Sequence, residues 1–383
     1  MSRPIYLDYH ATTPVDPRVL EAMLPYFTEQ FGNPASSTHQ WGWRAQEAVE
    51  QARRDVAALI GASAREIIFT SGATESNNFA IRGIADLMPA DRRQIVVSAI
   101  EHKSVLEAAR RLGAAGWQVV IVPVDRGGIV DLDALAEAVI PSTSLVSVMA
   151  ANNEIGVLQP LAEIGRIAHA QGALFHTDAA QAAGKVPIDV HAMGIDLLSL
   201  TGHKMYGPKG SGALFVRKHT ALAPLICGGG QERGLRSGTL NVPGIVGLAR
   251  ACSICRTGMT EESSRLAGLR DRLLDGLKSG VGGLVVNGSI EHRLPNNLHV
   301  SFDQVDGESL LIGISDIAVS SGSACSSASA TPSHVLSAIL GSAPVPSASI
   351  RFGLGRFTTD QDIDYAVERF AAVVRHLRQV TTA

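Results

Sequence analysis

HTDAAQ, His176 to Gln181, and TGHKMYGPKG, Thr201 to Gly210, decide the reading of the fold. Each follows an apolar, strand-like run, ALFHTD (173–178) and DLLSLTG (196–202), and each breaks at once into polar and turn-forming residues. The pattern repeats outward from this pair. EIIFT (66–70), QIVVSA (94–99), WQVVIVPV (117–124), SLVSVMA (144–150) and SGALFVR (211–217) read as further strands, with helical stretches such as PLAEIGRIAHAQG (160–172) between them. Alternating strands and helices predict an α/β protein with a mainly parallel sheet covered on both faces. In such sheets ligands bind beyond the carboxyl ends of the strands, where Asp178 and Lys204 both fall.

Beyond this block, a long helical pattern over 242–278 leads to a second region with strands at LVVN (284–287), NLHVSF (297–302) and ASIRFGL (348–354). Helices are expected there near 332–340 and 360–377. The predicted organisation is a large domain over 16–262 and a smaller α+β domain made of 1–15 and 263–383.

Composition narrows the function. The chain has 383 residues, 45% hydrophobic and 18% charged, which describes an ordinary globular protein. A net charge of −3 gives no electrostatic footprint for nucleic acid. No apolar run reaches the length of a membrane span, and MSRPIYLDYHATTP lacks the apolar core of a signal peptide. Four cysteines, Cys227, Cys252, Cys255 and Cys325, are too few for a disulfide framework, so the expected location is the cytoplasm.

A lysine in a Gly/Pro turn, with a carboxylate at a neighbouring strand end, suits pyridoxal phosphate. The amine forms a Schiff base, and the carboxylate pairs with the ring nitrogen. Taken singly, a loop lysine and a helix-capping aspartate are the commoner explanations. SGATES (71–76) adds a glycine-rich entry to a helix that can hold a phosphate, with Thr74 as the hydroxyl contact, or simply caps that helix. His102 in EHKS and the amides of NNEIG (152–156) follow two more strands. Five strand ends thus carry groups that suit one phosphorylated aromatic aldehyde.

The ordered set YLDYHATTP, FGNPASSTH, FTSGATESNN, EHKSV, NNEIGVLQP, HTDAAQ, GHKMYGPKG, RSGTLNVPG, SSGSACSSAS and IRFGLGRF resembles the cysteine desulfurases, enzymes of the fold-type-I pyridoxal-phosphate class. The likeness runs from about Tyr6 to Thr359. It implies a PLP-dependent transferase fold in which Lys204 binds the cofactor covalently, Asp178 holds the pyridine nitrogen and His102 stacks on the ring as acid and base. Gln181 and Asn153 would contact the ring hydroxyl. Thr74, Thr201 and His203 would bind the phosphate, joined by Thr239 from the other subunit of a homodimer. Arg351 would take the substrate carboxylate, with Asn33 nearby. Arg356, five residues further along IRFGLGRF, is the rival for that task.

The same resemblance gives Cys325 a task. Its thiolate would attack the sulfur of L-cysteine, leaving alanine and a persulfide whose sulfur passes to an acceptor protein. SSGSAC followed by a Ser/Ala run is similar to the longer-loop type of the family, which feeds iron–sulfur scaffold proteins. The rival readings are a selenocysteine lyase or related cysteine lyase on the same fold, or a non-catalytic partner in sulfur transfer. Cys252 and Cys255 form a C-x-x-C, but inside a helical pattern with no second ligand pair, so helix packing is the expected role.

Overall fold

A computed structural model of the chain describes residues 4–321 and 333–381. Its strands are β1 (Ile5–Tyr6), β2 (Ile67–Thr70), β3 (Gln94–Ser98), β4 (Gln118–Val122), β5 (Thr143–Ser147), β6 (Leu174–Asp178), β7 (Leu197–Thr201) and β8 (Gly212–Val216). They continue with β9 (Leu284–Val286), β10 (Asn297–Phe302), β11 (Ile317–Ala318), β12 (Ser320–Ser321) and β13 (Ala348–Gly353). Seven form one sheet in the order β2-β8-β7-β6-β5-β3-β4, parallel except for β8, which is antiparallel to both of its neighbours. The carboxyl ends of β2, β3, β5, β6 and β7 therefore emerge along one edge.

The period-two alternation of these strands puts apolar side chains on both faces. Leu198, Leu200, Phe215, Phe175 and Val96 enter one core, while Leu197, Leu214, Ile95 and Ile68 enter another. The second is closed by helices Ala73–Ala85 and Lys103–Ala114, which supply Phe79, Ile81 and Val105. Both faces are covered, as a mainly parallel sheet requires.

A helix over Val242–Val281 leaves the large sheet and reaches a second one. At 1.5 Å per residue it spans roughly 60 Å. Its first half, through Cys252 and Cys255, packs into the large-sheet core, and its second half, Leu266 to Val281, into a separate core. The second core lies on the antiparallel sheet β12-β13-β10-β9 and on helix Asp360–Thr381. Phe370 of that helix meets Phe302 and Phe352 at ring-centre distances of 5.9 and 5.0 Å. A smaller cluster of Ile100, Met149, Ile155, Val157, Val335, Leu336 and Ile339 fastens helix His334–Leu340 to the strand ends of the large sheet. This contact and the parallel β1–β11 pair bring the second region against the ligand edge.

Candidate active site

A cavity of about 530 Å³ opens at the carboxyl edge of the large sheet, and β13 of the second sheet forms its far wall. Asp178, the last residue of β6, is 4% exposed. Asn77 Nδ2 donates to its Oδ2 at 2.7 Å, and the Ala180 N–H donates to its Oδ1 at 2.9 Å. Each of the two buried carboxylate oxygens thus has a donor.

β7 ends at Thr201 and turns immediately through Gly202–Lys204. The N-terminal segment laces this turn in place. Thr13 donates its N–H to the His203 carbonyl at 2.9 Å, and its hydroxyl accepts from the Tyr206 N–H at 2.8 Å. Tyr206 is held there at φ 62, a left-handed conformation that tertiary contacts must enforce on an aromatic residue. Lys204 Nζ donates to the carbonyls of His10 and Ala11.

Ser71 and Gly72 lead from β2 into helix Ala73–Ala85. Gly72 has φ 150, a region open to glycine, and offers no side chain to cap the helix. The first N–H groups of that helix therefore face the cavity beside Thr74, Thr201 and His203, an arrangement that suits an anion. Burial, then the charges of Lys204, Lys209 and Lys185, lower the His203 pKa to about 4, so its ring is neutral. It lies 3.2 Å from Thr12 Oγ1 through Nδ1.

His102 is the N-cap of helix Lys103–Ala114, and its Nδ1 accepts from the Ser104 N–H at 3.1 Å. That bond places the proton of the neutral ring on Nε2. Burial lowers the His102 pKa, and the nearby Asp178 carboxylate opposes the shift. Asn77 links the two residues, since its Nδ2 also donates to Ser104 Oγ at 2.8 Å. Gln181 and Asn153 line the cavity as well.

Arg351 stands in β13, 6% exposed. Nη1 donates to the Asn153 carbonyl at 2.8 Å, and Nη2 donates to Asp8 Oδ1 at 2.9 Å and Ser320 Oγ at 3.0 Å. Its Nε is buried with no partner among the described residues. Arg356 lies outside the cavity wall. It bridges Asp16 and Glu262 at 2.7 Å each and sits 4.1 Å over the Tyr206 ring.

Nine of the sequence-predicted residues thus meet at one cavity: Lys204, Asp178, His102, Gln181, Asn153, Thr74, Thr201, His203 and Arg351 line it, together with Ser320. Cys325 itself lies outside the described residues. Asn33 and Thr239 are exposed and do not line the cavity of their own chain. Cys252 and Cys255 are buried in the large core, Cys227 is exposed, and no cluster among the described residues could hold a metal ion. Sequence reasoning missed Asn77, Ser104, Asp8 and His10. Only Asn77 carried a signal, as the residue one helical turn beyond Ala73 in SGATESNN.

The donor set fits pyridoxal phosphate: a buried carboxylate, an uncapped helix start with two hydroxyls, and a lysine between them. When bound, that cofactor supplies an electron sink for the carbon skeleton of an amino acid. The described part of the chain contains no helix long and apolar enough to cross a membrane.

Comparisons with known proteins agree with this chemistry. The aminotransferase class-V family model matches residues 5–366. A cysteine desulfurase IscS of Anaeromyxobacter sp. (strain K) is 54% identical over 383 residues, covering 100% of this chain and 95% of the relative. The human cysteine desulfurase is 51% identical over 381 residues, covering 99% of this chain and 83% of its own. The solved structure of a NifS-like protein superposes with a TM-score of 0.92 at 40% identity, covering 98% of this chain and all of that one. With a family model matched over residues 5–366 and relatives this similar over nearly the whole chain, the chain belongs to the aminotransferase class-V family and is a PLP-dependent cysteine desulfurase.

Proposed function

We propose that Lys204 anchors the cofactor and Asp178 pairs with its ring nitrogen, while Thr74, Thr201, His203 and the helix start at Ala73 hold its phosphate. Gln181 and Asn153 serve the ring oxygen. His102 lies over the ring and moves protons at Nε2. Arg351 takes the carboxylate of L-cysteine through its open Nε and the Nη2 that now rests on Asp8. The meeting of Lys204, Asp178 and Arg351 around one cavity carries this reading.

Cys325 acts as the nucleophile. Its thiolate forms an S–S bond with the substrate sulfur as the substrate C–S bond breaks. The electron pair of the broken bond stays with carbon, which takes a proton and leaves as alanine, and Cys325 keeps the sulfur as a persulfide. No external oxidant enters this balance. The sulfur then passes to an acceptor protein, and iron–sulfur cluster assembly in the cytoplasm is the proposed destination.

The working form is a homodimer in which Thr239 of each copy completes the other copy's phosphate site. Its organisation is a large domain over 16–262 and a smaller one made of 1–15 and 263–383. Cys325→Ser is the direct test. It should still change the cofactor absorbance on addition of L-cysteine but release no alanine in the presence of a thiol acceptor. Full turnover by that variant would remove Cys325 from the reaction.

A further inference from the structure

His10 lines the cavity but has no part in the roles assigned above. It follows β1 in the turn of YLDYHATTP, and its side chain is buried against Gln181. Two hydrogen bonds join the pair. Gln181 Nε2 donates to the His10 carbonyl at 3.0 Å, and His10 Nδ1 lies 2.9 Å from Gln181 Oε1.

The first bond dictates the second. A carbonyl only accepts, so the amide nitrogen of Gln181 must face the backbone of residue 10. Oε1 then faces the imidazole, and a bond between them requires the proton on Nδ1. Nε2 is left as a lone pair, buried without a partner among the described residues. Protonating it would bury an N–H with no acceptor. Burial, then the charges of Lys185, Arg351 and Lys204, hold the His10 pKa well below the usual range despite the Gln181 bond. Neighbouring groups brace both partners. Lys185 Nζ donates to the Gln181 carbonyl at 2.9 Å, and a Cβ at Gly353 would come within 2.8 Å of His10 Cδ2.

The consequence falls on Gln181. Its amide cannot turn over without setting oxygen against oxygen on residue 10. One N–H is committed to the His10 carbonyl, and the other belongs to a side chain in the cavity wall. We propose that His10 is a positioning residue: its carbonyl sets which end of the Gln181 amide faces the backbone, and its Nδ1–H, by holding Oε1, keeps that amide from swinging away, so that the second N–H is a fixed donor to the cofactor's ring oxygen. A freely rotating amide would alternate donor and acceptor there, and the lock removes the acceptor state. This inference rests on the assignment of Gln181 to that oxygen.

The test is the pH midpoint of the visible absorbance of the bound cofactor, read without turnover. His102, His203, Asp178, Lys204 and Arg351 face the same cavity and are unchanged in every variant. A donor to a charged oxygen weakens the cofactor's hold on its proton, so losing it should raise the midpoint by about one pH unit. His10→Leu should show that rise, and His10→Ala replaces it if the leucine variant does not fold. His10→Asn, whose amide N–H occupies the place of Nδ1–H, should stay within about 0.3 unit of the parent. Gln181→Leu should rise at least as far, and the double variant should rise no further than Gln181→Leu alone. A parental midpoint in His10→Leu beside a raised one in Gln181→Leu overturns the lock. A parental midpoint in Gln181→Leu overturns the Gln181 assignment, and the inference with it.

Discussion

On the sheet side of the cavity, Asp178 takes one donor from Asn77 and one from the Ala180 N–H, and the His102 ring has its Nδ1 filled by Ser104. On the β13 side, Arg351 keeps Nε without a partner among the described residues and rests Nη2 on Asp8, a carboxylate of its own chain. The first wall is complete before anything binds, as a permanently held group needs. The second holds an arginine whose present carboxylate partner can be exchanged for another. Under the proposed assignments, a resident cofactor and a transient amino acid would meet two kinds of surface, fixed and exchangeable.

Substitutions should separate the two walls. Asp178→Asn removes the charge on the fixed side, and kcat should fall by about a hundredfold or more. KM for cysteine should change in that variant by less than about threefold, because the substrate wall is intact. Arg351→Lys should do the reverse, raising KM by about tenfold to a hundredfold through loss of a two-point grip on carboxylate. The absorbance of the bound cofactor should not change.

Arg356→Lys sharpens the contrast. Its guanidinium joins Asp16 and Glu262, so thermal unfolding should move down by roughly 5 °C while KM stays put. A raised KM in Arg356→Lys alone would exchange the roles of the two arginines.

Asp8→Asn takes away the internal competitor of the substrate carboxylate and should lower KM by about threefold. A higher KM would mean that Asp8 orients Arg351 rather than competing for it.

The smallest effect concerns pH. Glu101, fully buried behind His102, has its carboxyl pushed up to about 8 by burial, against donors from Ser98 and the Met149 N–H. A raised folded pKa means that its contribution to stability is complete below the unfolded value. It is lost as pH rises through about 8. Thermal midpoints should therefore drop by a few degrees between about pH 5 and 8 in the parent and level off above that. Glu101→Gln should flatten that decline.

Much of this was legible in the sequence. The runs ending at Thr70, Ser98, Asp178 and Thr201 are strands, and residues just beyond them line the cavity. Strand direction was not legible. β8 is buried on both faces, and an apolar run without a polar side reads the same either way. The strands β1, β11 and β12 are two residues each, too short for any period. Arg351 and Arg356 could not be told apart by residue type. What separates them is that one stands inside β13 facing the cavity, while the other, past its end, meets Asp16 and Glu262. The pairing of His10 with Gln181 spans most of the large sheet in sequence and has no local signal.

Sulfur is proposed to leave cysteine onto one particular thiol. The purified holoenzyme should be treated with sulfur-labelled L-cysteine without acceptor, and the label located among its cysteine-containing peptides. Label should appear on the Cys325 peptide, matched by an equal amount of alanine, and should be missing in Cys325→Ser. Label on Cys227, or alanine formed at the parental rate without Cys325, would contradict it.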